Sequence, residues 1–193
     1  MKQLTRTLKL QLLILGGLLL TFWALETVDV VLLHQALNRY GIVPRTQDGL
    51  WGILFAPFLH GGFPHLIANS VPFLVLGWLV LVRGVKDFLA VSLVTVLVAG
   101  LGTWLVGAAG TVHIGASGVV FGYLGYLMLR GFFERKILSI LLSIGVGYLY
   151  GRYLPGVLPG QQGISWECHL FGFLGGALAA WLMTRSAPRA HQS

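Results

Sequence analysis

The chain has 193 residues, of which 56% are hydrophobic and only 10% charged, and its mean hydropathy is +0.81. A soluble domain carries about 25% charged residues, so there is too little charge here to solvate a globular surface, and the class is a polytopic membrane protein. The net charge of +7 would suit nucleic acid, but the basic residues are scattered at helix ends, not gathered on one face, and read as topology signals; the single cysteine, Cys168, excludes an intrachain disulfide and a cysteine-rich metal site.

Lys2, Arg6 and Lys9 lead into a long apolar run that no small-residue cleavage site follows, which reads as a retained first helix. A span needs about 20 mostly apolar residues. Six segments qualify, at 8–33, 65–82, 88–106, 117–132, 137–153 and 166–183. The expected fold is therefore all-α, a six-transmembrane-helix bundle forming one domain over 1–185, with a short tail at 186–193.

Within this frame, Glu26 and Asp29 fall near the end of the first helix, where snorkelling or pairing with Arg39 or Arg45 is the simple reading. The longest connection, 34–64, carries Trp51, Phe55, Phe58 and Phe63 among glycines and polar residues, as suits a structured loop lying partly in the interface. The fourth segment is short, so it is expected to start below the membrane surface, reached by a loop that dips inward. Backbone of that kind is tolerated only where protein or a water-filled cavity surrounds it.

Placing the N-terminus in the cytoplasm puts ten of the 13 Lys and Arg residues on the cytoplasmic side; only Arg39, Arg45 and Arg152 fall outside. Both termini are then cytoplasmic. The second, fourth and sixth helices all start near the outer face, so His65, Asn69, Ser117 and His169 share one layer. Buried polar groups in a membrane are costly and mark function.

Ser117 and His169 are candidates for a nucleophile and its base. A serine hydroxyl is a weak nucleophile until a base within hydrogen-bond reach takes its proton, and histidine titrates near neutrality. Alone, Ser117 reads as a small helix-start residue and His169 as an interface histidine; at matched depth they read as a dyad. Gly118 and Gly122 are four apart on the fourth helix, and Gly172 and Gly176 four apart on the sixth. Small residues at this spacing let membrane helices close on each other. His65 and Asn69, also four apart, project from one helix face and could donate to an oxyanion, with the Ser117 N–H as a third donor.

These residues fall into three ordered motifs: Phe58-Leu59-His60-Gly61-Gly62 leading to His65 and Asn69, then Gly115-Ala116-Ser117-Gly118 with Phe121-Gly122, then His169 with Gly172 and Gly176. In this order and spacing the chain resembles the rhomboid family of intramembrane serine proteases, over nearly all its length after the first helix. The resemblance implies Ser117 as nucleophile, His169 as general base, His65 and Asn69 as oxyanion donors with Gly115 in the same group, and Phe121 packed on the catalytic imidazole. It implies transmembrane-protein substrates met within the lipid bilayer, no cofactor, no metal, no nucleic acid, and a bacterial inner-membrane location.

Two departures stand out. Cys168 replaces the alanine common before the histidine, and Trp51 is followed by Gly52 where many members have arginine, which leaves open how the first loop is anchored. His60 is read as a support of that loop and His113 as a residue bordering the site; His34 and His191 read as incidental. The fifth helix, with Gly145, Gly147 and Gly151, and the loop 154–165 are candidate gates. The competing readings are a catalytically inactive relative that binds membrane proteins, and a small transporter.

Overall fold

The computed structural model describes residues 2–161 and 163–186; His191 and the expected tail from 187 onward lie outside the described residues. The chain is all-α, with helices α1 (Lys2–Val31), α2 (Gln47–Phe55), α3 (Phe63–Leu81), α4 (Val85–Val106), α5 (Ser117–Glu134), α6 (Ile137–Tyr150) and α7 (Trp166–Ser186). Six are long, and α2 is an extra short helix in the first connection, so the second to sixth expected spans are α3 to α7. The site end of the bundle is the one where α3, α5 and α7 begin.

Helix boundaries follow local chemistry. α1 starts earlier than the apolar run because its first turns carry Lys2, Arg6 and Lys9, polar residues that hydropathy cannot count as helix. Pro64 occupies the first turn of α3, where its missing N–H costs nothing. α5 ends on Arg135, held in the left-handed region at φ 55°. The fifth expected span runs past Tyr150 as a 3-10 segment, Gly151–Val157.

Among the described residues, four helices are long and apolar enough to cross a bilayer by length and composition alone: α1, α3, α4, and α6 with its 3-10 extension. The exceptions, α5 and α7, are the two expected to carry the Ser–His pair. α5 can afford polar residues and glycines because it is sheathed by protein, with Tyr123, Leu124, Tyr126 and Leu127 each about fully buried. A Cβ added at Gly172 would collide with the Gly118 carbonyl, one at Gly176 with the Gly122 carbonyl, and one at Gly125 with the Phe173 carbonyl. The expected glycine faces of α5 and α7 therefore do meet, backbone against backbone.

The first connection is structured as expected, but by a helix that hydropathy did not reveal. Thr46 caps α2 by accepting from the Gly49 N–H at 3.0 Å. Trp51 is 66% exposed on the outer side of α2, with Leu50, Leu54 and Phe55 also exposed. The glycine after Trp51 has a packing reason: a Cβ at Gly52 would strike the Gly41 carbonyl. Arg45 anchors the loop instead, donating to the Leu105 and Gly107 carbonyls at 3.0 and 2.8 Å, where a cation complements the C-terminus of α4.

Candidate active site

Ser117 is the first residue of α5, and its loop is tied to the first connection. Ile42 and His113 exchange both backbone hydrogen bonds at 2.9 Å, the Gly115 N–H donates to the Ala56 carbonyl at 2.8 Å, and the buried His60 Nε2 lies 3.4 Å from the Ala116 N–H. The irregular segment thus finds its partners in protein, as buried backbone polar groups require. His60, expected to support the first connection, instead gives its Nε2 as acceptor to the loop before Ser117, and burial holds its imidazole down to a pKa of about 4, with the neighbouring His65 a lesser cause.

The Ser117 Oγ lies 2.8 Å from His169 Nε2. The other ring nitrogen of His169 is 3.0 Å from the Gly156 carbonyl. A carbonyl can only accept, so in the neutral ring Nδ1 carries the proton and Nε2 presents its lone pair to the serine hydroxyl. Phe121 stacks on the imidazole with centroids 4.2 Å apart and planes 11° from parallel. Gly156 belongs to the 3-10 segment after α6 and carries no sign in the sequence, since it acts through a backbone oxygen.

His65 has the opposite arrangement. Its Nδ1 accepts from the Gly61 N–H at 3.2 Å, which puts the neutral ring's proton on Nε2. The Cβ position of Gly115, which has φ 116°, would lie 2.7 Å from that Nε2 and 3.8 Å from Asn69 Nδ2, so both nitrogens face the loop that leads to Ser117. Asn69 Nδ2 uses one hydrogen on the His65 carbonyl at 3.0 Å and keeps the second. The Gly115 N–H is already committed to Ala56, so what Gly115 contributes is space.

Ser117, His169, His65, Asn69 and Phe121 line one cavity of about 740 Å³, whose wall also includes His113, Tyr150 and Tyr153. His113 borders it as expected, its ring between Ser165 Oγ at 2.6 Å and Thr111 Oγ1 at 2.8 Å. Burial pushes the His113 pKa below its ordinary value, against the opposing pull of Glu167. Cys168 faces away from this cavity, with its sulfur against Gly118.

The acidic pair on α1 corrects the sequence reading. Glu26 and Asp29 neither snorkel nor pair with Arg39 or Arg45: both are buried, at 1% and 2% exposure. Glu26 accepts from the Gly62 N–H at 2.6 Å and Asp29 from the Leu37 N–H at 2.8 Å. Each carboxylate sits where a helical segment begins, α3 for Glu26 and the 3-10 turn Ala36–Tyr40 for Asp29, and there exposed N–H groups favour negative charge.

Fold and site together define a polytopic all-α membrane protein with a hydrogen-bonded serine and histidine inside its bundle. Residues 47–186 match the family model described as Rhomboid domain, and the chain belongs to the rhomboid family. It is 43% identical to uncharacterized proteins of Mycobacterium tuberculosis and Mycobacterium bovis, over 95% of this chain and 81% of each relative. An uncharacterized protein of Mycobacterium leprae is 40% identical over 90% of this chain and 72% of its own length.

Proposed function

We propose that the protein is an intramembrane serine endopeptidase that cuts transmembrane segments of membrane proteins with a Ser117–His169 dyad. The observation that carries this reading is the 2.8 Å contact between Ser117 Oγ and a His169 Nε2 left unprotonated by the Gly156 carbonyl. In this mechanism Ser117 Oγ attacks the scissile carbonyl while His169 Nε2 takes its proton. His65 Nε2–H, the free Asn69 Nδ2 hydrogen and the Ser117 N–H at the start of α5 stabilise the oxyanion. His169 returns the proton to the leaving amine, and the acyl-enzyme is hydrolysed by a water that His169 deprotonates.

Substrate reaches the site from the lipid between α3 and α6. A groove of about 400 Å³ lies there, and its Ala68, Pro72, Tyr150 and Tyr153 also line the catalytic cavity. α6 is the weakly packed wall: 11% of its best spanning window is buried, and Gly145 and Gly151 have open space beside them. Its polar ties lie in its first half, where Ser139 donates to Glu134 at 2.5 Å and Ser143 donates to the Leu127 carbonyl and accepts from the Gly131 N–H at 2.7 and 3.0 Å. The outer end of α6 is therefore the part free to yield, and within the candidate gate loop 154–165 Gly160 and Gly163 can follow it while Gly156 and Ser165 stay bonded to His169 and His113. The same reading has the protein in a bacterial inner membrane with both termini cytoplasmic, supported by the surplus of lysine and arginine at the end away from the site.

Ser117→Ala and His169→Ala in liposomes with a transmembrane substrate are each expected to lower cleavage by about a thousandfold or more. Full cleavage by either variant sinks the assignment. Labelling of Ser117 by a fluorophosphonate separates an active enzyme from an inactive binding relative.

A further inference from the structure

Glu26 is the most deeply buried carboxylate of the described residues, at 1% exposure, and no cation comes within ion-pair distance of it among them. A carboxylate inside a membrane protein is expensive unless it is hydrogen-bonded. It accepts from the Gly62 N–H at 2.6 Å, and the His60 backbone amide also faces it. Gly62 is the N-cap of α3; it has φ 106°, offers no side-chain cap, and accepts from the Leu66 N–H at 3.2 Å. The carboxylate thus occupies the positive end of α3, which offsets part of the cost of burying it without a cation.

The same turn reaches the site. One residue before Gly62, the Gly61 N–H donates to His65 Nδ1 and so assigns the ring proton to Nε2, the nitrogen facing Gly115. With the proton on Nδ1 instead, Nε2 would present a lone pair where negative charge develops, turning a donor into a source of repulsion. We propose that Glu26 is a positioning residue that holds the Gly61–Gly62 turn and thereby keeps His65 in its Nε2–H tautomer. The inference rests on the proposed oxyanion role of His65.

The two ring nitrogens of a histidine are distinguishable by 15N NMR, which reads the tautomer directly. In full-length protein in nanodiscs, with His65 assigned through His65→Asn, wild type and Glu26→Gln keep the Nε2–H form, because glutamine retains an acceptor. Glu26→Ala mixes the tautomers and lowers kcat about tenfold with KM nearly unchanged, a fraction of what loss of an oxyanion donor costs. Gly61→Pro, which removes the donor amide and leaves Glu26 in place, mixes the tautomers as well and decides the matter if Glu26→Ala does not fold. An unchanged His65 spectrum in a folded Glu26→Ala or in Gly61→Pro overturns the inference, as does a Glu26→Gln spectrum as mixed as that of Glu26→Ala. A failure of the protease reading registers separately, as absent turnover in the wild type.

Discussion

Two histidines in one cavity hold opposite tautomers, and each is set by a backbone group from a different loop. Gly156 offers a carbonyl to His169, and Gly61 offers an N–H to His65. In the proposed mechanism that division would make one ring a base and the other a donor, and among the described residues no carboxylate is hydrogen-bonded to either ring. His60 shows the same economy outside the spans. Its folded pKa is about 4 against an ordinary 6.5, so the unfolded chain takes up a proton more readily between those values. The contribution of a neutral His60 to stability is therefore present above pH 6.5 and is lost as pH falls toward 4, by up to about 3 kcal/mol. His60→Gln, which does not titrate, is expected to melt below wild type at pH 7 and to close that gap on acidification. A gap that stays constant from pH 7 to 4 would contradict the assignment.

At the scale of the element, glycines with identical conformational freedom carry very different loads. Gly122 and Gly176 sit where α5 and α7 touch through backbone atoms, and Gly122 also receives the side chain of Thr95 from α4. Gly145 on α6 has nothing within 4 Å of its Cβ position. Gly176→Val is expected to cost more than about 3 kcal/mol, since close-packed backbones cannot yield to an inserted side chain. Gly145→Ala is expected to be neutral or to stabilise by about 0.5–1 kcal/mol, through the lower entropy of the unfolded helix. Thermal unfolding in detergent checks both. Because stiffening α6 also stiffens the proposed gate, Gly145→Ala should slow cleavage of a membrane-embedded substrate more than cleavage of a short soluble peptide.

At the scale of the whole molecule, polar chemistry divides between the two ends. Among the described residues, the site end holds the histidines, Ser117 and the capping carboxylates. At the other end, Arg83 pairs with Asp87 at 3.0 Å and with Glu134 at 3.3 Å, and Arg130 donates to Glu134 at 2.9 Å, joining the turn before α4 to the end of α5. The surplus of lysine and arginine at that second end predicts that it faces the cytoplasm. A C-terminal fluorescent-protein fusion should then fluoresce and a C-terminal alkaline-phosphatase fusion stay inactive. The reverse pattern would invert the topology and place the proposed catalytic cavity on the cytoplasmic side.

Much of this was legible in the chain itself. Hydropathy runs placed six long helices to within a few residues at most ends, because the bilayer demands length and apolarity from a contiguous segment. Motif order singled out Ser117, His169, His65 and Asn69, because side-chain chemistry is written in residue type. α2 escaped because nine residues are too few for a span, and its Trp51 face reads equally well as loop. The partners of Glu26 and Asp29 escaped because capping is satisfied by backbone amides, which every residue but proline possesses. For the same reason only the tertiary structure could decide which nitrogen of His169 and of His65 bears a proton: the groups responsible, the Gly156 carbonyl and the Gly61 amide, are identical in every peptide bond until folding brings one of them to the ring.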